Sequence, residues 1–145
     1  MKVQAAVTSG SLVVRAYDYL PSDYVITDLS LLELRQRSGA KMVLGGFPGV
    51  GLYNGADERL STGERSLPRD VWSCIEVHLE IPDAPHGSWE VWVDGVLGYA
   101  VSGLDAFDGG IEGITIGITW AGPSQDASTV YADAVAASRS PIGCL

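Results

Sequence analysis

The side chains best equipped for chemistry stand close together in the sequence: His78 between Glu76 and Glu80, and Trp92 two residues after Glu90. The segment Trp72 to Ile81 (WSCIEVHLEI) alternates strictly, so Ile75, Val77, Leu79 and Ile81 share one face and Cys74, Glu76, His78 and Glu80 the other. WEVWVD, from Trp89 to Asp94, alternates in the same way. If the chain folds back about Pro85, His78 lies across from Trp92, Glu80 from Glu90 and Glu76 from Asp94. An uncovered indole offers a flat apolar surface to the C–H face of a sugar ring. The carboxylates beside it accept hydrogen bonds from hydroxyl groups. The same residues would also suit a solvated outer face with one Trp covered by a loop.

Two catalytic readings use overlapping residues. Glycoside hydrolysis needs paired carboxylates about 5–5.5 Å apart for retention, or about 6.5–9.5 Å for inversion. Glu80 and Glu90, placed opposite one another, would meet the shorter separation. A polysaccharide lyase needs a base beside a group that neutralises a uronate. Arg15, Tyr17 and Tyr19 share one face of their strand and would serve if His78 joined them. Alternating Tyr is also ordinary strand composition.

Other polar clusters carry less. Glu33, Arg35 and Arg37 read as a charged strand end. The glycines at 45, 46, 49 and 51 lack the Lys and helix start of a phosphate loop. His86 sits in a turn beside Pro85, and Ser102 has no nucleophile-elbow context.

Strands must position these groups, because β-branched residues and Gly punctuate every segment. Strands are expected at Ser11–Leu20, Thr27–Gln36, Lys41–Leu44, Val50–Tyr53, Trp72–Ile81, Trp89–Asp94 and Val96–Val101. Two more are expected around Ile114–Ile118 and over Thr129–Ala137. Asn54–Arg69 reads as a loop, and Asp94-Gly95 as a tight hairpin turn. Nine or ten evenly spaced strands predict an all-β, two-sheet antiparallel sandwich forming one domain over 1–145.

The charge balance limits partners. Eighteen acids against nine bases give a formal net charge of −9. Phosphate backbones and anionic lipid surfaces would repel such a chain, so nucleic acid is not expected, and with no apolar run near the ~20 residues needed to span a membrane, neither is membrane insertion. Neutral carbohydrate, cations and basic protein surfaces fit. Cys74 and Cys144 either remain buried thiols or close one disulfide, which would stabilise the fold by about 4–5 kcal/mol in the chain-entropy model. With no CxxC pair and no third thiol, a zinc or redox cofactor is not expected.

Several segments in order resemble the concanavalin A-like lectin/glucanase superfamily and its laminin-G-like branch. They are RAYDYLP at Arg15–Pro21, W-x-C-x-E-V at Trp72–Val77 and GSWEVWVDG at Gly87–Gly95. The isoleucine strand ending near Gly117, VYADAV, and PIGC at Pro141–Cys144 complete the set. The resemblance implies a jelly-roll sandwich with a concave sheet on which relatives hold carbohydrate, and a Cys74–Cys144 disulfide. Relatives usually carry additional first strands, so the chain is expected to be a module lacking its first strand. An open sheet edge would then allow self-association. Relatives often have two adjacent acids in the last strand that help hold calcium. Here Asp133 precedes Ala134, which leaves Asp133 as the metal candidate and weakens a site that needs six to eight oxygens.

The resulting expectation is a non-catalytic carbohydrate-binding or adhesion module, extracellular or at the cell surface. Its binding residues would be Trp92, His78, Glu76, Glu80 and Glu90, then Arg15, Tyr17 and Tyr19. The alternatives are a lyase or glycoside hydrolase of the same fold, and a self-assembling structural subunit.

Overall fold

Alternation governs the architecture. In a computed structural model, which describes residues 1–25, 29–38, 41–45, 51–53, 59–62, 67–81, 86–104 and 109–145, the described secondary structure is entirely β. Eleven strands run in order: β1 (Lys2–Val7), β2 (Gly10–Tyr19), β3 (Leu29–Gln36), β4 (Lys41–Gly45), β5 (Gly51–Tyr53), β6 (Arg59–Thr62), β7 (Trp72–Ile81), β8 (Gly87–Val93), β9 (Val96–Leu104), β10 (Ile111–Ala121) and β11 (Tyr131–Ser138). They form a six-stranded sheet, β1-β10-β3-β4-β5-β6, and a five-stranded sheet, β11-β2-β7-β8-β9, with every pair antiparallel. No helix of the described residues is long and apolar enough to cross a membrane.

The core fills the space between the sheets. Leu12, Val14 and Ala16 of β2, Ile75, Val77, Leu79 and Ile81 of β7, and Trp89, Val91 and Val93 of β8 meet Leu32, Leu34, Leu44, Ile114 and Ile116. Leu31 and Leu32 are both buried although adjacent, because the register shifts between Ser30 and Leu32. Such a bulge returns two successive side chains to the same side. Gly110 needs its missing side chain. A Cβ there would stand 2.1 Å from the Val7 carbonyl oxygen, so β1 approaches β10 only over glycine.

The structure departs from the expected elements in three places. Part of the expected loop Asn54–Arg69 is strand β6. A strand at Lys2–Val7, not foreseen, pairs with β10 at the edge of the six-stranded sheet. The β7–β8 register differs by two residues from the one centred on Pro85: Leu79 faces Trp89, Val77 faces Val91, His78 faces Glu90, and Glu76 faces Trp92. A two-residue slip leaves every side chain on its own face, so alternation cannot separate the two registers. The expected turn at 82–85, and Gly46 and Gly49, lie outside the described residues. Asp94 (φ 51°) and Gly95 (φ 73°) form the hairpin turn between β8 and β9, with Val93 paired to Val96.

Candidate functional site

The outward face of the five-stranded sheet gathers the side chains singled out from the sequence. The β2–β7 ladder sets Arg15 against Glu76, Tyr17 against Cys74, Tyr19 against Trp72 and Ser11 against Glu80. The β7–β8 ladder adds Trp92 beside Glu76 and Glu90 beside His78. One parity runs through β2, β7 and β8, so Trp92, His78, Glu76, Glu80, Glu90, Arg15, Tyr17 and Tyr19 share this face. They do not all have the same freedom.

The centre of the face is covered. Cys74 and Cys144 form a disulfide across 70 residues of sequence, pinning residues 139–145 onto β2 and β7. The N–H groups of Gly143 and Ile142 donate to Glu76 Oε2 at 2.6 and 3.2 Å. Arg15 donates to the Gly143 carbonyl at 2.9 Å and to the Ala134 carbonyl at 3.3 Å, and its guanidinium lies 5.7 Å from the Tyr17 ring centre. The N–H of Leu145 donates to the Tyr17 hydroxyl oxygen at 2.5 Å. Arg15 and Glu76 are accordingly buried, not open side chains framing a Trp. The expected Cys74–Cys144 disulfide ties the tail to this face, but the hydrogen bonds the tail makes there are non-local and lie beyond strand pairing.

Burial tends to push Glu76 up. The hydrogen bond from His78, the Gly143 N–H, the His78 charge and the Ile142 N–H outweigh it, and the carboxyl rests below its ordinary value. The His78 contact is short, Nε2 to Oε1 at 2.5 Å. A carboxylate can only accept, so Nε2–H donates. Nδ1 faces Glu90 Oε2 at 3.8 Å.

Beside this covered centre lies an open flank. The His78 and Trp92 rings stack with centroids 5.8 Å apart and planes 28° apart. Their contact is diagonal rather than directly across, as the shifted register requires. Trp92 Nε1–H donates to Glu90 Oε2 at 3.1 Å, which fixes the indole edge. Glu80 is exposed and accepts a hydrogen bond from Ser11 Oγ. A half-buried indole stacked on an imidazole, with two accessible carboxylates, can stack against a ring and accept hydroxyl protons.

Asp133 stands on β11 opposite Tyr17, exposed, with Oδ1 accepting the Ala134 N–H at 2.6 Å. Ala134, at φ 48°, forms a bulge whose carbonyl receives Arg15. Among the described residues, no three His, Cys, Asp or Glu side chains gather as a metal site. His86 is exposed, and Glu33 and Arg35 take surface ion pairs with Lys41 and Glu112 on the other sheet.

Two groups escaped the sequence reading. Asp18 is buried on the inward side of β2, and burial pushes its carboxyl up to about 7. Its Oδ1 and the Oγ of Ser73, its ladder partner, are both buried without hydrogen-bond partners. The signal was an acid in register with Leu12, Val14, Ala16 and Leu20. The second group is Trp72, which is exposed at the far end of the face.

No family model matches the chain, and no curated protein matches it. Solved structures do. One is a cellulose-induced protein, Cip1, with a TM-score of 0.73 and 22% identity over 95% of this chain and 72% of that one. Alginate lyase vAL-1 from Chlorella virus gives 0.69 and 14% over 92% and 72%. A tetrameric galectin from the ball sponge Cinachyrella sp. gives 0.60 and 15% over 94% and 97%. The fold is a concanavalin A-like jelly roll. At these identities the likeness describes the jelly-roll framework. The chemistry must be read from the face itself.

Proposed function

We propose that this jelly roll is a non-catalytic carbohydrate-binding module. Its primary site is the flank formed by Trp92, His78, Glu90 and Glu80. The stacked His78–Trp92 pair, with Glu90 holding the indole N–H and Glu80 exposed nearby, carries the reading. It presents an aromatic surface with acceptors at its rim, the chemistry that recognises a hydroxylated ring. A galectin and an alginate lyase of the same fold favour a carbohydrate ligand over an unrelated one. Binding is favoured over cleavage because the groups a catalyst would use are committed. Arg15 spends its terminal nitrogens on the Gly143 and Ala134 carbonyls, and Tyr17 is bonded to Leu145. Glu76 is held below its ordinary value, the opposite of a general acid.

The disulfide fits an extracellular or cell-surface setting. Placement in the laminin-G-like branch rests on the Trp72–Val77 and Pro141–Cys144 motifs. Self-association through a sheet edge belongs to the same proposal, and sedimentation over a range of concentrations tests it.

A glycan array followed by titration calorimetry tests the binding. Trp92→Ala is expected to weaken the best ligand about tenfold, equivalent to about 1.4 kcal/mol. Unchanged affinity removes the site. Release of reducing ends, or of unsaturated products absorbing in the ultraviolet, from neutral or acidic polysaccharides would replace binding by catalysis.

A further inference from the structure

At the other end of the same face, three aromatic rings lie in a row across three strands. The ladders set Tyr131 of β11 beside Tyr19 of β2, and Tyr19 beside Trp72 of β7. The Tyr19 and Trp72 rings are 5.6 Å apart at 51°, and the Tyr19 and Tyr131 rings 6.0 Å apart at 66°. Trp72 is 48% exposed and Tyr131 53%. Single exposed aromatics are ordinary, but a contiguous aromatic patch left open to water marks an interaction surface.

A carboxylate stands at the rim of this patch. Asp70 occupies the left-handed region (φ 60°), where its N–H donates to the Leu20 carbonyl at 3.0 Å. The Ser22 N–H donates to its Oδ1 at 2.8 Å. Hydrogen bonds from Ser22, the nearby Arg69 charge and the Tyr19 hydroxyl hold it below its ordinary value, so it stays an acceptor. The patch therefore repeats the composition of the Trp92 flank: rings to stack on, with an ionised acceptor beside them.

We infer that Tyr19, Trp72, Tyr131 and Asp70 form a second sugar subsite, occupied by a further stretch of the same uncharged glycan chain that lies on Trp92. This rests on the binding reading above and extends it to a ligand length and charge class. Trp72 and Glu76 are four residues apart on β7, about 13 Å at strand rise, and Trp92 lies one strand beyond Glu76. One or two sugar rings cannot touch both patches, whereas an oligosaccharide that passes over residues 139–145, which cover Cys74 and Glu76 between the patches, can. The carboxylates of Asp70, Asp133 and Glu90 select against a polyuronate, and Arg15, the cation at the centre of the face, is already bonded to two carbonyls. Apolar ring faces and hydroxyl donors without negative charge complement what remains.

The test uses the intact, oxidised protein against an array of neutral gluco-, manno-, xylo- and galacto-oligosaccharides of increasing length, with alginate and polygalacturonate oligomers as the anionic arm. The best neutral binder is then titrated with Trp72→Ala, Tyr131→Ala, Asp70→Asn and Trp92→Ala variants. The expected result is that Trp72→Ala and Tyr131→Ala weaken long chains roughly five- to tenfold and disaccharides less than about twofold. Asp70→Asn, which tolerates the same backbone conformation, should weaken long chains about threefold. Unfolding midpoints close to wild type show that these exposed substitutions leave the fold intact. If only Trp92→Ala reduces affinity, the second subsite is overturned and the Trp92 reading stands. If only the Trp72 and Tyr131 variants do, the aromatic row is a sugar site and the Trp92 reading falls. Preference for the anionic oligomers, or no binding to any neutral chain, overturns the inference.

Discussion

Glu76 and Asp18 sit on neighbouring strands of one sheet, both nearly out of contact with water, and their surroundings drive them in opposite directions. Glu76 faces outward beneath residues 139–145, where two backbone N–H groups and His78 surround it with donors. Asp18 faces the hydrophobic interior, where its Oδ1 has no donor. The first rests below its ordinary value and the second rises to about 7. Burial alone does not decide the fate of a carboxyl group; the supply of donors does. The same contrast separates the covered centre of the outer face from its open flanks. Glu76 at the centre is enclosed by donors, whereas Glu80, Glu90 and Asp70 on the flanks keep oxygens open to solvent.

The largest expected effect comes from removing what brings the donors to Glu76. Cys144→Ser opens a loop of 70 residues and should destabilise the fold by about 4–5 kcal/mol in the chain-entropy model. Urea unfolding measures it, with Cys74→Ser/Cys144→Ser as a check against effects of a lone thiol. A loss below about 1 kcal/mol would mean that residues 139–145 hold their place without the disulfide.

Asp18→Asn should act in the opposite sense. A carboxyl raised from 3.8 to about 7 binds more protons folded than unfolded, so it favours folding fully below pH 3.8. That contribution is lost as pH rises through about 7, a swing of about 4 kcal/mol at 1.36 kcal/mol per unit. The wild type should lose stability between about pH 4 and 7, and Asp18→Asn should flatten that slope and be the more stable above pH 7. Parallel profiles for the two proteins would show that Asp18 finds donors in solution.

Glu76→Gln should cost about 2 kcal/mol at neutral pH, because it replaces a charged acceptor of several hydrogen bonds. Here the sign reverses. A carboxyl lowered by folding stabilises above its unfolded value of 4.5, and the gain disappears as pH falls through the lower folded value. The difference between wild type and Glu76→Gln should therefore shrink in acid. A constant difference would move its origin from charge to packing.

Much of this contrast was written in the chain, and some was not. The bounds of Trp72–Ile81, the Asp94-Gly95 turn, the common face of Arg15, Tyr17 and Tyr19 and that of Glu76, His78 and Trp92 follow from alternation and turn chemistry alone, whereas the pairing of β2 with β7 that unites the two does not. So does the inward aim of Asp18, since it shares parity with Val14 and Ala16. The His78–Glu90 register was not legible, because a slip of two conserves every face. The cover over Arg15 and Glu76 was hidden for another reason. Pairing of Cys74 with Cys144 came from resemblance, but where the residues before Cys144 would lie depends on contacts far apart in sequence. Short β6 and the edge strand β1 lack the long apolar alternation that marks β7.

The smallest effect on stability should come from the flank, and it is the one that distinguishes a binding surface from a structural one. Glu90 accepts a single hydrogen bond from the Trp92 indole and faces His78 Nδ1 at 3.8 Å, with its side chain 42% exposed. Solvent can replace what a substitution there removes, so Glu90→Gln should leave the unfolding midpoint nearly unchanged. The indole would lose the ionised partner that fixes its edge, and the flank one acceptor for a sugar hydroxyl. Affinity for the best neutral glycan should then fall severalfold, about 1 kcal/mol, while Glu76→Gln, compared at equal folded concentration, leaves affinity within about twofold. Calorimetric titration of both variants reads the division directly. A Glu90→Gln protein that unfolds as readily as Glu76→Gln yet binds normally would make the flank part of the scaffold and erase the contrast between the two halves of the face.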